Sequence, residues 1–267
     1  QKKYHDLLLN THLDFIKAGA EVIVTATFAT RRKRLKDNQI EDKFKYLNQK
    51  AGEIAIKVKK IFPNTLIAGG LPPQDLTYKA DYRNEEEITN NFKEQAKVLN
   101  PYIDFFYFDV LSSIKEIKMA IQSIEEFDKP YLIGVHISNG TKLPSGEKIL
   151  DLVKILDIRK LLGVTLSCVS PETFHLNLNE IKKLGIPFGF KLNAFIKTNP
   201  MPKLDKNDDN KRIDNPVKFL GVREDLTPIK MSEFADKFKK AGATILGGCC
   251  ETGPAHIKEM SKLIWLF

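Results

Sequence analysis

Cysteine is scarce in this chain, as are the features that mark several large classes of protein. Only three of the 267 residues are cysteine, too few for the disulfide framework of a small secreted domain. No apolar run approaches the roughly 18 to 20 residues that a membrane-spanning helix needs. The opening segment, 1–20, reads as an amphipathic helix rather than a signal peptide. We therefore expect a soluble, cytoplasmic protein without a membrane partner.

Motifs for phosphate and nucleic-acid binding are also missing. Neither G-x-G-x-x-G nor G-x-x-x-x-G-K-[ST] occurs, and there is no zinc-finger spacing or RNP-like aromatic motif. The net charge of +8 comes from lysines scattered among acidic residues. The one compact basic run, 31–34, is expected to be a solvated loop. We expect no nucleic-acid partner, and a salt-sensitive RNA- or DNA-associated protein is the minor alternative.

Short apolar runs alternate with helical patterns along the whole chain. Seven runs rich in β-branched and aromatic residues lie at 21–28, 65–71, 103–110, 130–137, 162–169, 186–195 and 243–250. Eight helical patterns lie at 2–18, 39–62, 84–99, 112–126, 146–161, 172–184, 231–241 and 254–265. Asn84, and Ser112 or Ser113, are suitable N-caps. The alternation predicts parallel α/β structure in a single domain over 1–267.

A (β/α)8 TIM barrel suits this pattern better than a doubly wound sheet. A doubly wound sheet usually carries a Gly-rich phosphate loop after its first strand, and none is present. Eight helices with only seven strands predict that a first strand precedes Gln1 and is missing from this chain. In a barrel, the carboxyl ends of the strands form the functional face.

All three cysteines are predicted to meet on that face. Cys249 and Cys250 follow Gly247 and Gly248 at the end of the last strand, and Cys168 nearly ends the strand two places earlier. Successive strand residues point to opposite faces, so the adjacent pair reaches one ion only where the strand breaks into a loop, which the glycines permit. Three thiolates around Zn²⁺ leave a fourth position open. The alternative is that these cysteines are small buried apolar residues.

These residues resemble a known family. The sequence "GGCC" closing the last strand, the single cysteine at Cys168, "AGAEVIVTATF" at 18–28 and "PAHI" at 254–257 together resemble the zinc-dependent homocysteine S-methyltransferases. The resemblance runs over essentially the whole chain. It implies that the three cysteines bind zinc, with the homocysteine sulfur as fourth ligand, and that Asp109, Asn193 and Thr27 bind substrate.

The chain departs from the family pattern at three strand ends. Where the family has Phe-Glu-Thr, this chain has Phe108–Val110, whose shorter Asp109 carboxylate reaches less far toward a substrate ammonium. A lysine partner such as Lys191 is the structural alternative for that carboxylate. The usual Val-Asn-Cys is 166–168 here, with serine in the middle, and of the usual Tyr-Pro-Asn only Asn193 is kept. These changes bear on the substrate rather than on the zinc ligands.

The predicted activity is transfer of a methyl group to homocysteine, giving methionine. The resemblance favours a small onium donor, S-methylmethionine or S-adenosylmethionine, with a betaine-type donor as runner-up. Aromatic residues that could contact a cationic donor, or simply pack, are Phe28, Tyr78, Tyr82, Phe108 and Phe195. A non-catalytic or redox zinc protein is the alternative from another class. The expected partners are therefore small molecules, and the oligomeric state is left open, with a homo-oligomer among the possibilities.

Overall fold

All seven predicted strands are present, and all are parallel. The computed structural model describes residues 2–198 and 216–264, and within them each strand pairs with the next along the chain, in the order β1 to β7. The strands are β1 Val22–Val24, β2 Leu66–Leu71, β3 Phe105–Leu111, β4 Tyr131–Val135, β5 Leu161–Val169, β6 Phe188–Leu192 and β7 Ile245–Gly248. This order, with helices between the strands, is that of a (β/α)8 barrel lacking one strand, as predicted.

Helices cover the outer face of the sheet. The α-helices in the described ranges are α1 Lys2–Lys17, α2 Arg32–Asp37, α3 Phe44–Ile61, α4 Glu85–Leu99, α5 Ile114–Gln122, α6 Pro171–Lys182, α7 Pro216–Leu220, α8 Pro228–Lys240 and α9 Pro254–Ser261. Short 3-10 helices lie at Phe28–Thr30, Glu41–Lys43, Asn100–Tyr102 and Ile149–Lys154. The predicted caps are confirmed for Asn84 and Ser113, whose side chains accept from the backbone N–H of Glu87 and Glu116. None of the described helices is long and apolar enough to cross a membrane.

Strand β3 explains how the sheet buries both of its faces. Its apolar run alternates, with Phe106 and Phe108 in the outer core under the helices and Phe105 and Tyr107 in a smaller cluster inside the barrel. Every residue of the strand is buried. The strands at the two ends of the sheet differ, since no residue of β7 is fully buried and Val22 in β1 is 40% exposed. Greater exposure at these ends is what a sheet without its closing strand produces.

Two predicted helices differ from the structure. The segment 146–161 forms only the 3-10 turn Ile149–Lys154, because Gly146 takes a left-handed φ of 100° and Lys160 already pairs with Tyr131 at the edge of β4. The predicted helix 39–62 begins late, at Phe44, because Gln39 has φ 59° and a 3-10 turn follows it. Both breaks occur at backbone conformations that an α-helix does not allow.

The basic run 31–34 was wrongly predicted to be a solvated loop. Helix α2 begins at Arg32, and the preceding Arg31 is only 7% exposed. Its guanidinium donates to the carbonyl oxygens of Phe28, at 2.8 Å, and Asp75, at 3.2 Å. The arginine therefore ties the loop after β1 to the loop after β2. Its neighbour Arg32 forms ion pairs with Glu41 and Glu94.

Candidate metal centre

An irregularity in β5 sets the orientation of Cys168. The register between β5 and β6 shifts between Ser167 and Val169, and Cys168 between them has a left-handed φ of 57°. This conformation is uncommon for a residue with a side chain and recurs at functional sites, where the surrounding structure holds it. The side chain is 1% exposed. The bulge thus fixes the thiol at the carboxyl end of the strand.

Cys249 and Cys250 lie in a loop that the end of β6 holds in place. Strand β7 ends at Gly248, directly before the two cysteines. This is the predicted break, which lets adjacent side chains reach one ion. The Cys249 N–H donates to the Leu192 carbonyl at 2.6 Å, and the Cys250 carbonyl accepts from the Ala194 N–H at 3.0 Å. The adjacent thiols are therefore positioned by backbone hydrogen bonds rather than by side-chain packing alone.

Glycine at position 248 has a structural reason that differs from the predicted one. Neither Gly247 nor Gly248 is among the residues with positive φ. A Cβ on Gly248 would instead lie 2.3 Å from the Thr252 hydroxyl oxygen, which donates to the Cys249 carbonyl. Glycine is needed for this close approach, which packs the loop back on the strand.

The three sulfur atoms have the spacing of a metal site. The Sγ of Cys250 lies 3.7 Å from that of Cys168 and 4.0 Å from that of Cys249, and all three lie within 4.8 Å of one another. Tetrahedral Zn²⁺ with bonds of about 2.3 Å to sulfur places its ligands about 3.8 Å apart. No disulfide links the three cysteines. The arrangement fits three thiolate ligands on one ion.

Two further side chains lie within hydrogen-bonding distance of the Cys168 sulfur. The Tyr78 hydroxyl lies 3.0 Å from Sγ, and Asn193 donates its Nδ2 at 3.6 Å. Asn193 is held in turn, since its Oδ1 accepts from the Phe195 N–H at 3.0 Å. The Tyr78 ring packs against His136, with centroids 4.5 Å apart. These donors suit a sulfur that carries negative charge.

No sequence pattern predicts that Tyr78 contacts a cysteine. Tyr78 lies in the long connection between β2 and α4 and takes a left-handed φ of 66°. Neither helical nor strand periodicity applies to such a residue. The sequence signal was only an aromatic side chain in a loop at the functional face.

Burial and mutual contact raise the pKa of the thiols. The hydrogen bond with Cys249 lowers the pKa of Cys168, but the hydrogen bond with Cys250, burial and the charge of Cys250 outweigh it and raise the pKa to about 12. The pKa of Cys250 is also raised to about 12, since its contact with Cys249 and its burial outweigh the lowering by Cys168. A bound metal ion supplies the positive charge that three adjacent thiolates require.

Asp109 and Lys191 form a buried ion pair beside the cysteines. Lys191 Nζ donates to Asp109 Oδ2 and lies 5.2 Å from the centroid of the Tyr107 ring. Burial by itself lowers the pKa of Lys191, but the charges of Asp109, Cys249 and Tyr107 raise it well above its usual value. Asp109 Oδ1 is buried and has no hydrogen-bond partner among the described residues. The structural alternative for Asp109, a lysine partner, is thus present, while one carboxylate oxygen is still free.

The remaining predicted site residues lie in different surroundings. Thr27 is fully buried and donates its hydroxyl to the Gly70 carbonyl at 2.6 Å, so its role in substrate binding stays a prediction. Tyr78 and Phe195 belong to an apolar cluster that packs against Cys249 and Cys250.

The other three aromatic candidates are not part of that cluster. Phe108 packs on Phe92 in the outer core, and Tyr82 is 74% exposed. Phe28 is 37% exposed and packs under the Arg31 guanidinium. Of the five aromatic residues, only Tyr78 and Phe195 are next to the cysteines.

Known proteins similar to this chain include several methyltransferases. The S-methylmethionine–homocysteine S-methyltransferase of Pongo abelii is 25% identical over 264 residues, which cover 97% of this chain and 70% of that protein. The betaine–homocysteine S-methyltransferase 1 of Danio rerio is 26% identical over 265 residues, covering 94% of this chain and 63% of the relative. Homocysteine S-methyltransferase 2 of Saccharomyces cerevisiae is 26% identical over 276 residues, covering 94% and 78%. The chain thus spans between about three fifths and four fifths of these relatives.

Structural similarity and the family model agree with these relatives. The crystal structure of the homocysteine methyltransferase MmuM from Escherichia coli, in its metallated form, superimposes with a TM-score of 0.77 at 19% identity, covering 96% of this chain and 84% of that one. At that identity the similarity establishes the fold. The model of the homocysteine S-methyltransferase family matches residues 2–264. Since this match takes in nearly the whole chain, the protein belongs to the homocysteine S-methyltransferase family.

Proposed function

We propose that this protein transfers a methyl group from a small onium donor to the thiol of homocysteine, giving methionine. The observation that carries the proposal is the convergence of the sulfur atoms of Cys168, Cys249 and Cys250 within 4.8 Å of one another at the carboxyl ends of the strands. Three such ligands leave the fourth position of a tetrahedral ion for a substrate sulfur. Zinc held there would keep a bound thiol deprotonated and so nucleophilic at neutral pH.

The chain's own residues orient the reactants around that centre. Tyr78 and Asn193 donate toward Cys168 and so hold one ligand in position and spread its charge. The free Oδ1 of Asp109 accepts from the substrate ammonium. Tyr78 and Phe195 form an apolar wall beside the cysteines, which excludes water and faces a cationic donor with aromatic surface.

The reaction is a displacement at the methyl carbon. The acceptor thiol gives its proton to solvent, and its sulfur forms the new bond to carbon. The bond from the methyl carbon to the onium sulfur or nitrogen breaks, and its electron pair stays on the donor, which leaves neutral at that atom. Positioning sulfur and methyl in line supplies much of the acceleration.

An assay with each donor in turn tests this proposal. Zinc-loaded protein is incubated with homocysteine and with S-methylmethionine, S-adenosylmethionine or betaine, and methionine is quantified. S-Methylmethionine and betaine are the expected donors, because relatives named for each share about a quarter of their residues with this chain. S-Methylmethionine yields two methionines per turnover and the other donors yield one. Absence of methionine with all three donors would contradict the proposal.

Asp109→Asn is expected to raise the homocysteine concentration for half-maximal rate by about tenfold or more, because it weakens a charge-assisted hydrogen bond. Zinc content should be unchanged. Asp104→Asn is the matched control, since Asp104 precedes the same strand and pairs with Lys59 at 2.5 Å, away from the cysteines. If Asp109→Asn loses zinc or stability while homocysteine affinity holds, Asp109 is structural.

A zinc protein without catalytic activity is the second candidate. It is favoured by the lysine that occupies one oxygen of Asp109, since this cation competes with a substrate ammonium. Calorimetric titration of the zinc-loaded protein with homocysteine distinguishes the two. Tight zinc binding with no homocysteine binding would select the second candidate.

A further inference from the structure

The Lys191 ammonium has hydrogen-bonding capacity that the protein does not use. A lysine ammonium carries three donors. Within the described chain, Lys191 donates one of them to Asp109 Oδ2, and its other close contact is the Tyr107 ring, which takes no conventional hydrogen bond. The lysine side chain is 18% exposed, against 7% for Asp109. The lysine is therefore the more accessible member of the pair.

Strand register places this ammonium next to the metal centre. Lys191 pairs across the sheet with Gly247, two residues before Cys249. The loop that begins at Cys249 stays next to β6, because the Cys249 N–H donates to the carbonyl of Leu192, the residue after Lys191. Gly247 brings no side chain into this space, and a Cβ there would already lie 3.5 Å from Lys191 Cγ. The lysine thus extends over the glycine, on the cysteine side of the barrel interior.

The pair offers donors and an acceptor together. Asp109 Oδ1 is a buried acceptor without a partner in the described structure, and Lys191 retains two donors. If the two side chains bound only each other, Asp109 Oδ1 and two donors of Lys191 would stay without partners. Buried polar groups usually have hydrogen-bond partners. A molecule with an ammonium and a carboxylate on one carbon satisfies both members, the ammonium on Asp109 and the carboxylate on Lys191.

We propose that Lys191 binds the carboxylate of the acceptor, so that this site selects thiols that carry a carboxylate. The inference rests on the proposed function, because it assumes that an acceptor thiol occupies the metal centre. It adds the group that recognises the acid end of that thiol. The lysine is supplied by β6, where the family resemblance leads one to expect tyrosine.

Three thiols separate the contributions of the two ends of the acceptor. Homocysteine has both groups, mercaptobutyrate lacks the amino group, and mercaptopropylamine lacks the carboxylate. Each is titrated calorimetrically into zinc-loaded wild type and zinc-loaded Lys191→Met, with zinc content measured for both. We expect the dissociation constants of homocysteine and mercaptobutyrate to rise about tenfold or more. That of mercaptopropylamine should stay unchanged or fall, because the variant removes a cation that competes with its ammonium for Asp109.

Two further variants serve as controls. Lys191→Met leaves Asp109 buried without its cation, so the double variant Asp109→Asn, Lys191→Met removes both charges and should lose mercaptobutyrate affinity to the same extent. Lys154→Met removes a lysine whose side chain is 77% exposed and should change none of the three affinities.

Other results overturn the inference in distinguishable ways. Equal weakening of all three thiols would mean that Lys191 acts on the metal centre or the fold, and no weakening would mean that its charge serves Asp109 alone. If wild type binds none of the three thiols, the proposed function fails and the inference fails with it. Binding by wild type without discrimination between the thiols defeats only the inference.

Discussion

Cys249→Ala is expected to give a folded protein that neither binds zinc nor transfers a methyl group. Only three sulfur atoms converge in the described structure, so removing one leaves two ligands and no enclosed site. Loss of a residue that merely supports a ligand costs about 10- to 100-fold in metal affinity, and loss of a ligand itself should cost at least that much. The backbone hydrogen bond from Cys249 to Leu192 does not involve the side chain, so the loop should keep its course.

Metal analysis after gel filtration, together with circular dichroism, tests this expectation. Ser123→Ala is a suitable control, because Ser123 is 1% exposed, similar in size to cysteine, and bonded only locally to the Ala120 carbonyl. It should retain zinc and activity. Full zinc occupancy in Cys249→Ala would show that the cysteine cluster is not the metal site, and the proposed function would lose its main support.

The convergence of the three cysteines could be predicted because its signals are local in sequence. Adjacent cysteines at the end of an apolar run must lie at a strand end, and parallel strands bring their carboxyl ends to one rim. Cys168 joins them for the same reason. The conformations that finish the site are not local signals. The left-handed φ of Cys168 and the bulge around it depend on the pairing of β5 with β6, which no periodicity records.

Long-range polar contacts were predicted less well than strands. Arg31 lies in a run of four basic residues that resembles a solvated surface, yet its guanidinium is buried on two backbone carbonyls. The segment 146–161 has a helical pattern, yet its end is drawn into β5. In both cases tertiary partners outweigh the local preference, and those partners are distant in sequence. Lys191 was identified only as one option for Asp109, because sequence alone does not show which cation faces a given acid.

Two buried titratable groups near the functional face give the fold opposing pH dependences. Glu116, in the first turn of α5, is fully buried, its Oε2 accepts from the Ser112 N–H at 2.9 Å, and its Oε1 has no partner in the described structure. Burial raises the pKa of Glu116 to about 8. The charge of Asp81 adds to this, while the Ser112 N–H, Arg83 and Arg31 lower the pKa without cancelling the effect of burial.

His136 titrates in the opposite sense. Its Nδ1 lies 3.1 Å from the Ser167 carbonyl, which can only accept, so Nδ1 carries the proton and Nε2 accepts from the Ser138 hydroxyl at 2.9 Å. Burial lowers the pKa of His136 from 6.5 to about 4, although the Ser167 hydrogen bond and the charge of Asp109 raise it slightly. The folded protein therefore keeps this ring neutral.

Glu116→Gln is expected to remove most of the loss of stability that the protein suffers above pH 6.5. The folded state holds the Glu116 proton up to about pH 8, whereas the unfolded chain releases it near pH 4.5, so the free energy of unfolding falls as pH rises through this window. The His136 contribution falls as pH drops from 6.5 toward 4, so the two oppose each other below pH 6.5, and above it the Glu116 contribution is the larger of the two. One-proton linkage gives Glu116 a loss of roughly 1.5 kcal/mol between pH 6.5 and 8, which the glutamine variant should lack.

Urea unfolding at pH 6.5 and pH 8 measures this difference, with a chelator present at both so that metal binding does not contribute. The matched control is Glu86→Gln, because Glu86 also lies in the first turn of a helix but is exposed, and its pH dependence should parallel that of wild type. Equal pH dependence in wild type and Glu116→Gln would mean that Glu116 is already ionised in the folded protein at neutral pH. In that case Arg31 and Arg83 would have to stabilise its carboxylate, and Glu116→Gln would lower stability at both pH values.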